Sequence, residues 1–395
     1  MPVEPAGAVL EHHAVAVRDG AIEGLLPKEE ALRTFPDYER LDLPEHLLIP
    51  GLVDAHARAA TLLLRGMAHE PPLQRFLSER FVRDGTALAC AEMLRGGITC
   101  FNDMYFFPQA ALEASLEAGM RVALALIVAD FPTPYASDRD DYLRKGLELR
   151  DRSREQPLAS FCLAPHAPDT ASDATLRRVA TLAAELDLPV QVPMHGSEGE
   201  LGRLAALGLL GPNLSAVHAV HVSEPEIALL ARHGCSVVHC PSSDLMLARG
   251  FAPIHSMLRR NVNLALGTDG TASNNRLDLL AEMRAAALLA KAVARDPAAF
   301  PAHAALRAAT LGGARALGLG ARTGSIEPGK RADLAALALA PCHDPVSEVV
   351  YAAGREQVTH VWVDGKLRVR DGRLENPAPG LDTRWGIWQN ALAAS

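Results

Sequence analysis

Residues 56–58 read His-Ala-Arg, at the end of the apolar run Leu47-Leu-Ile-Pro-Gly-Leu-Val-Asp-Ala-His56. Seven later apolar or β-branched runs also close on histidine or aspartate, at Asp103, Asp130, His166, His195, His218, His239 and Asp269. Neutral imidazole and carboxylate are donors that a borderline divalent metal accepts, and such a metal acidifies a bound water enough to supply hydroxide near neutral pH. One histidine at a strand end is more often a packed or capping residue; the repeated habit points to a shared site. Arg58 is the discord. A second ligand is expected two residues after His56, yet a guanidinium stays protonated and has no lone pair to give.

These residues need elements that bring them together. Eight candidate strands, 47–56, 97–103, 121–130, 160–166, 190–195, 214–218, 235–239 and 263–269, alternate with Ala/Leu-rich stretches. Residues 172–187 show helical spacing through Leu176, Val179, Ala180, Ala183 and Leu186. Ser172-Asp173 and Ser223-Glu-Pro225 read as helix starts. Eight β-then-α units in succession predict an α/β chain folded as a (β/α)8 TIM-like barrel, whose strand C-termini converge on one mouth. Outside it, residues 8–27 read as a hairpin around Asp19-Gly20, and His360-Val-Trp-Val-Asp-Gly-Lys-Leu367 has the same texture. The expected organisation is a small β-sandwich domain built from both termini (1–46 and 322–395) beside the (β/α)8 barrel (47–321).

Bulk properties narrow the function classes. The 395 residues carry a net charge of −8 without a basic tract, which argues against nucleic acid as partner. No apolar run has the length of a membrane span, and Met1-Pro-Val-Glu-Pro-Ala-Gly7 lacks the features of a signal peptide. The six cysteines form no CxxC pair and read as buried thiols in a reducing compartment. A cytoplasmic protein acting on a small molecule is expected.

Seven segments occur in order: Pro50-Gly-Leu-Val-Asp-Ala-His56, Gly97-Ile-Thr-Cys-Phe-Asn-Asp-Met-Tyr105, Ala164-Pro-His-Ala-Pro168, His195-Gly-Ser-Glu198, Val217-His-Ala-Val-His221, His239-Cys-Pro-Ser-Ser243 and Gly267-Thr-Asp-Gly-Thr-Ala-Ser-Asn-Asn275. As an ordered set they resemble the amidohydrolase superfamily, in its branch of triazine hydrolases and 5-methylthioadenosine/S-adenosylhomocysteine deaminases. The resemblance implies one divalent metal, zinc ahead of iron, held by His56, His195 and Asp269, with Arg58 standing in the second ligand slot. It further implies that Asp269 takes the water's proton, Glu198 protonates the ring nitrogen beside the attacked carbon and His218 orients the developing oxyanion. His166, Glu198 and Arg58 would contact substrate, His239 would help shape the loop after strand seven, and Asp103 would hydrogen-bond within the barrel. The implied reaction is hydrolytic deamination of an amino-substituted heterocycle of adenosine, methylthioadenosine, pterin or triazine type, and the resemblance also implies a homodimer. The alternative is a metal-poor barrel without catalysis, serving as a ligand-binding or oligomer partner; hydrolysis of another carbon–nitrogen or carbon–halogen bond is a third reading.

Against the family pattern, three features stand out. A guanidinium charge about 5 Å from a divalent ion would cost on the order of 7 kcal/mol at an effective dielectric near 20. The segments after strand one and after Glu198 are short, so an open mouth is expected. Asp244 stands where relatives commonly carry Asn, adding a negative charge nearby.

Overall fold

The computed structural model describes residues 1–66, 77–194 and 199–393. In chain order the strands are β1 (His13–Arg18), β2 (Ala21–Pro27), β3 (His46–Pro50), β4 (Leu52–Arg58), β5 (Ile98–Asp103), β6 (Arg121–Val128), β7 (Ala159–Pro165) and β8 (Val190–Pro193). They continue with β9 (Leu214–Val217), β10 (Ser236–His239), β11 (Asn263–Leu266), β12 (Asp269–Gly270), β13 (Leu334–Ala338), β14 (Val358–Val363), β15 (Lys366–Arg370) and β16 (Arg373–Leu374). β5 and β6 are buried along their whole length, as strands covered on both faces must be.

Strands β4 to β12 form one parallel sheet in the order β11-β10-β9-β8-β7-β6-β5-β4-β12. Its two end strands are one chain segment interrupted only by Gly267-Thr268: β11 pairs with β10, and β12 pairs with β4. The eighth strand unit therefore closes the sheet on itself as a barrel. Gly267 permits this, since a Cβ there would lie 2.8 Å from the carbonyl oxygen of His56. Helices follow the strands, including Pro108–Ala118, Arg139–Ser153, Asp173–Leu186 and Glu224–His233. The start signals act as expected: Ser172 Oγ accepts from Thr175 N, and Glu226 accepts from Ser223 N.

The run read as a single strand over 47–56 is two strands in two sheets. β3 pairs antiparallel with β13 in a five-stranded sheet of order β16-β15-β14-β13-β3, and β4 begins the barrel after Gly51. Both halves are apolar because each faces a core, so periodicity gives no mark at the junction. The hairpin of β1 and β2 turns at Asp19-Gly20, both at positive φ. It packs on the five-stranded sheet through Ile22, Ile326, Ala332 and Leu334, making the expected two-layer arrangement from regions near both termini. Arg121, the first residue of β6, joins this layer to the base of the barrel through Asp333 and Asp364.

Five cysteines are buried thiols, while Cys342 is exposed. His360 is buried and stacked on Trp362. Among the described residues no helix is long and apolar enough to cross a membrane.

Candidate metal centre at the barrel mouth

His56 lies one full turn of the β pleat before the end of β4 and is completely buried. Its Nδ1 is 2.8 Å from Oε1 of Gln191 on β8. That amide has a fixed orientation, because its Nε2 donates to the carbonyl oxygen of Ala55 at 2.9 Å. Oε1 can only accept, so the proton of a neutral His56 resides on Nδ1 and the lone pair of Nε2 faces the mouth. Nε2 is buried and makes no hydrogen bond among the described residues. Burial pushes the imidazole pKa down, with Asp269 partly opposing it.

Asp269 opens β12 with φ 56, and His218 follows β9 with φ 68. Left-handed backbone at non-glycine residues costs roughly 1–3 kcal/mol each, and the packed strand ends hold it here. The two oxygens of Asp269 have different surroundings. Oδ2 accepts from Ser243 Oγ at 2.7 Å and Ser273 Oγ at 3.3 Å. Oδ1 is buried without a hydrogen bond among the described residues, 3.6 Å from His56 Nε2. Burial pushes this carboxyl up, but Arg58, His56 and His218 outweigh it and hold its pKa well below the ordinary carboxylate range. His56, His218 and Asp269 each offer a ligand atom within 4.8 Å of the others. Two orphaned lone pairs and a second imidazole, that of His218, all buried, fit a divalent cation by donor type.

Arg58 reaches the same carboxylate. Its Nε is 3.3 Å from Asp269 Oδ1, without hydrogen-bond geometry, and its side chain is 31% exposed. The centre therefore contains three donors suited to a metal and one cation on the oxygen the metal would use.

Two of the surrounding histidines, His166 and His239, are held as neutral rings. His166 is half-buried, bonded through Nδ1 to Thr170 Oγ1 at 2.9 Å and set against Phe106 and Phe131; burial, with Arg58 adding to it, lowers its pKa to about 4. Burial likewise lowers His239 to about 4. Asp244 is buried with its Oδ1 2.8 Å from His218 Nδ1 and its Oδ2 3.7 Å from His239 Nδ1. The negative charge read from the sequence at this position thus faces two site histidines. Arg249 Nη1 approaches both His218 and Asp244.

Two strand-end acids have local work instead. Asp103 Oδ1 accepts from Ala59 N at 2.8 Å and pins the end of β4, and burial raises its pKa to about 7. Asp130 accepts from Ser172 N and Thr175 Oγ1 at the start of the following helix. His195 and Glu198 lie outside the described residues, as do residues 67–76 of the short segment after strand one. Gln191, Ser243, Ser273 and Arg249 were not singled out as site residues by sequence. Only Gln191 had a usable signal, a lone polar side chain inside an apolar strand.

A model of the amidohydrolase family matches residues 47–368. The chain is 43% identical over 422 aligned positions to a 5-methylthioadenosine/S-adenosylhomocysteine deaminase of Saccharophagus degradans, covering 100% of this chain and 94% of that one. A deaminase of the same description from Teredinibacter turnerae is 43% identical over 403 positions, covering 95% and 91%. Among solved structures, an adenosine deaminase from Xanthomonas campestris with bound zinc superposes with a TM-score of 0.95 at 43% identity, covering 100% of this chain and 97% of that one. An atrazine chlorohydrolase from Arthrobacter aurescens shares the fold, with a TM-score of 0.87 at 22% identity over 96% of this chain and 95% of that one.

Proposed function

The chain belongs to the amidohydrolase family, and on that footing we propose that it is a metal-dependent deaminase of an adenine-type nucleoside, with 5-methylthioadenosine, S-adenosylhomocysteine and adenosine as the first substrates to test. The observation that carries this is the pair of buried, unpartnered lone pairs on His56 Nε2 and Asp269 Oδ1, one aimed by a fixed tautomer and the other by two serine hydroxyls. Zinc is the favoured metal, because imidazole and carboxylate suit it and the Xanthomonas relative carries it.

In this reading His56, Asp269 and His195 hold the ion, with His218 beside them. A divalent metal there supplies a water acidified toward neutrality. Asp269 would accept a proton from the attacking water and pass it to the departing ammonia. Glu198 donates a proton to the ring nitrogen next to the attacked carbon, so that water adds across the C=N bond. His218, backed by Asp244, steadies the oxygen that was water. His166 and its aromatic neighbours form an uncharged wall for a heterocycle. The net change is addition of one water and loss of one ammonia.

The second reading, a metal-poor barrel without turnover, draws on Arg58, whose charge already neutralises Asp269. One experiment separates them. Protein purified without chelator is assayed for zinc and iron and for loss of adenine absorbance with each candidate substrate. Close to one equivalent of metal with ammonia release supports the deaminase. Less than about a tenth of an equivalent, even after reconstitution, removes the activated water on which it depends.

A further inference from the structure

The contact between Arg58 and Asp269 is close enough to matter and too poor to be permanent. Its Nε lies 3.3 Å from Oδ1, yet neither atom forms a hydrogen bond. Elsewhere this chain shows what a committed arginine–carboxylate pair looks like: Arg121 grips Asp333 with two hydrogen bonds of 2.7 and 3.0 Å. Resting on the metal reading above, we propose that Arg58 is an exchangeable latch on the metal position: its guanidinium neutralises Asp269 in the metal-free protein, competes with a divalent cation for Oδ1, and moves toward the mouth when the ion enters.

Four observations carry this. First, Asp269 does not depend on Arg58 for its position, since Ser243 and Ser273 hold Oδ2. Oδ1 therefore remains in place whichever cation faces it. Second, the freedom to move lies in the side chain alone. The backbone at Arg58 pairs with Gly270, and its carbonyl oxygen accepts from Thr61 Oγ1 at 2.6 Å. Third, no hydrogen bond among the described residues restrains the two Nη groups, and the side chain is 31% exposed, so an outward path to water exists. Fourth, Oδ1 and His56 Nε2 are the buried atoms with open lone pairs that a metal needs, and Arg58 covers one of them. A guanidinium and a divalent ion on one oxygen repel, so only one can be in place at a time.

A latch of this kind has opposite effects on the two states. It stabilises the metal-free fold and lowers the apparent metal affinity by the fraction of molecules in which it is closed. A purely structural arginine would not produce that pairing of effects. The test uses metal-free protein, zinc chloride as the probe, and the variants Arg58→Met and Arg58→Gln, with zinc affinity read by competition with a chromophoric chelator and melting temperature read with and without zinc. Expected are a lower melting temperature than the parent without zinc, a larger zinc-induced rise, and zinc binding tighter by roughly 10–100-fold. If the parent binds zinc and both variants bind it equally or more weakly, the latch is overturned while the metal reading stands. If neither the parent nor Arg58→His takes up zinc, the metal reading falls and the latch falls with it. Should one neutral variant fail to fold, the other carries the comparison.

Discussion

Two clusters of buried charge lie at opposite ends of the barrel, and they are built to different rules. At the base, Arg121 donates to both oxygens of Asp333, to Asp364 and to the carbonyl of Pro157. Asp333 also accepts from Thr323 Oγ1 and from the backbone of Asp364. No polar side-chain atom of Arg121, Asp333 or Asp364 is buried without a partner. At the mouth, His56 Nε2, Arg58 Nε, Asp269 Oδ1 and His239 Nδ1 are all buried without a hydrogen bond among the described residues. Buried polar groups left unsatisfied cost stability, so a chain able to complete one cluster and not the other is holding the second open for something else. The difference separates an ion cluster that fastens two layers from one whose open lone pairs fit the metal proposed above.

The largest effect that tests this contrast is at the base. Arg121→Met leaves Asp333 buried without its cation, while Arg331 still pairs with Asp364, and stability in urea is expected to fall by about 3–5 kcal/mol. Zinc bound per folded chain should stay at the parental value. Loss of zinc from the folded fraction would mean that the two ends are not independent.

Next in size is a titration confined to the mouth. His239 has its folded-state pKa lowered to about 4, against an unfolded value near 6.5, with Asp244 and His218 its nearest charged or titratable neighbours. Between these values the unfolded chain binds more protons, so this residue's contribution to stability falls as pH drops from 6.5 to 4 and is constant above 6.5. The parent should therefore lose about 3 kcal/mol relative to His239→Gln across that window. Parallel pH profiles for the two proteins would mean that His239 is not held neutral.

Smaller still is Gln191→Leu, which removes the acceptor that keeps the proton of His56 on Nδ1. Zinc affinity is expected to weaken by about 10–100-fold, the usual range for the partner of a metal-binding histidine, and the metal-free protein to lose about 1–3 kcal/mol because the buried Nδ1–H has no acceptor.

What could be read from the sequence follows the same division. Strand ends at the mouth were legible because two signals coincide there: a β-period stops and a chemically distinctive residue begins. Arg58 was legible as a conflict for the same reason, since its type contradicts its position. The step at Gly51 was not, because both strands beside it are apolar, and neither was the closure at Gly267, which is set by contact between strands one and eight. Asp130 looks identical in sequence to a site aspartate, yet it serves the start of the following helix, while Asp103 makes a hydrogen bond within the barrel of the kind expected of it. Type and position cannot separate a carboxylate that is satisfied locally from one that is left open. Gln191 and Ser243 escaped for a related reason, as their roles are defined only by what they face across the barrel.

Ser243 gives the smallest and most discriminating expectation. Its hydroxyl is fully buried and donates to Asp269 Oδ2 at 2.7 Å, while Ser273 donates to the same oxygen at 3.3 Å. Ser243→Ala removes the shorter bond without changing the charge of the site, and Ser273 remains to satisfy Oδ2. The stability loss should accordingly stay near 1 kcal/mol, the net value of a single hydrogen bond with a substitute at hand. The carboxylate gains freedom to rotate, which blurs the distinction between its two oxygens. Zinc affinity should then fall by about tenfold, a change carried by the aim of Oδ1 and not by the fold. If Ser243→Ala lost several kcal/mol of stability and kept full zinc affinity, the serine would belong with Arg121 as part of the frame, and the division between a closed base and an open mouth would have to be redrawn through Asp269 itself.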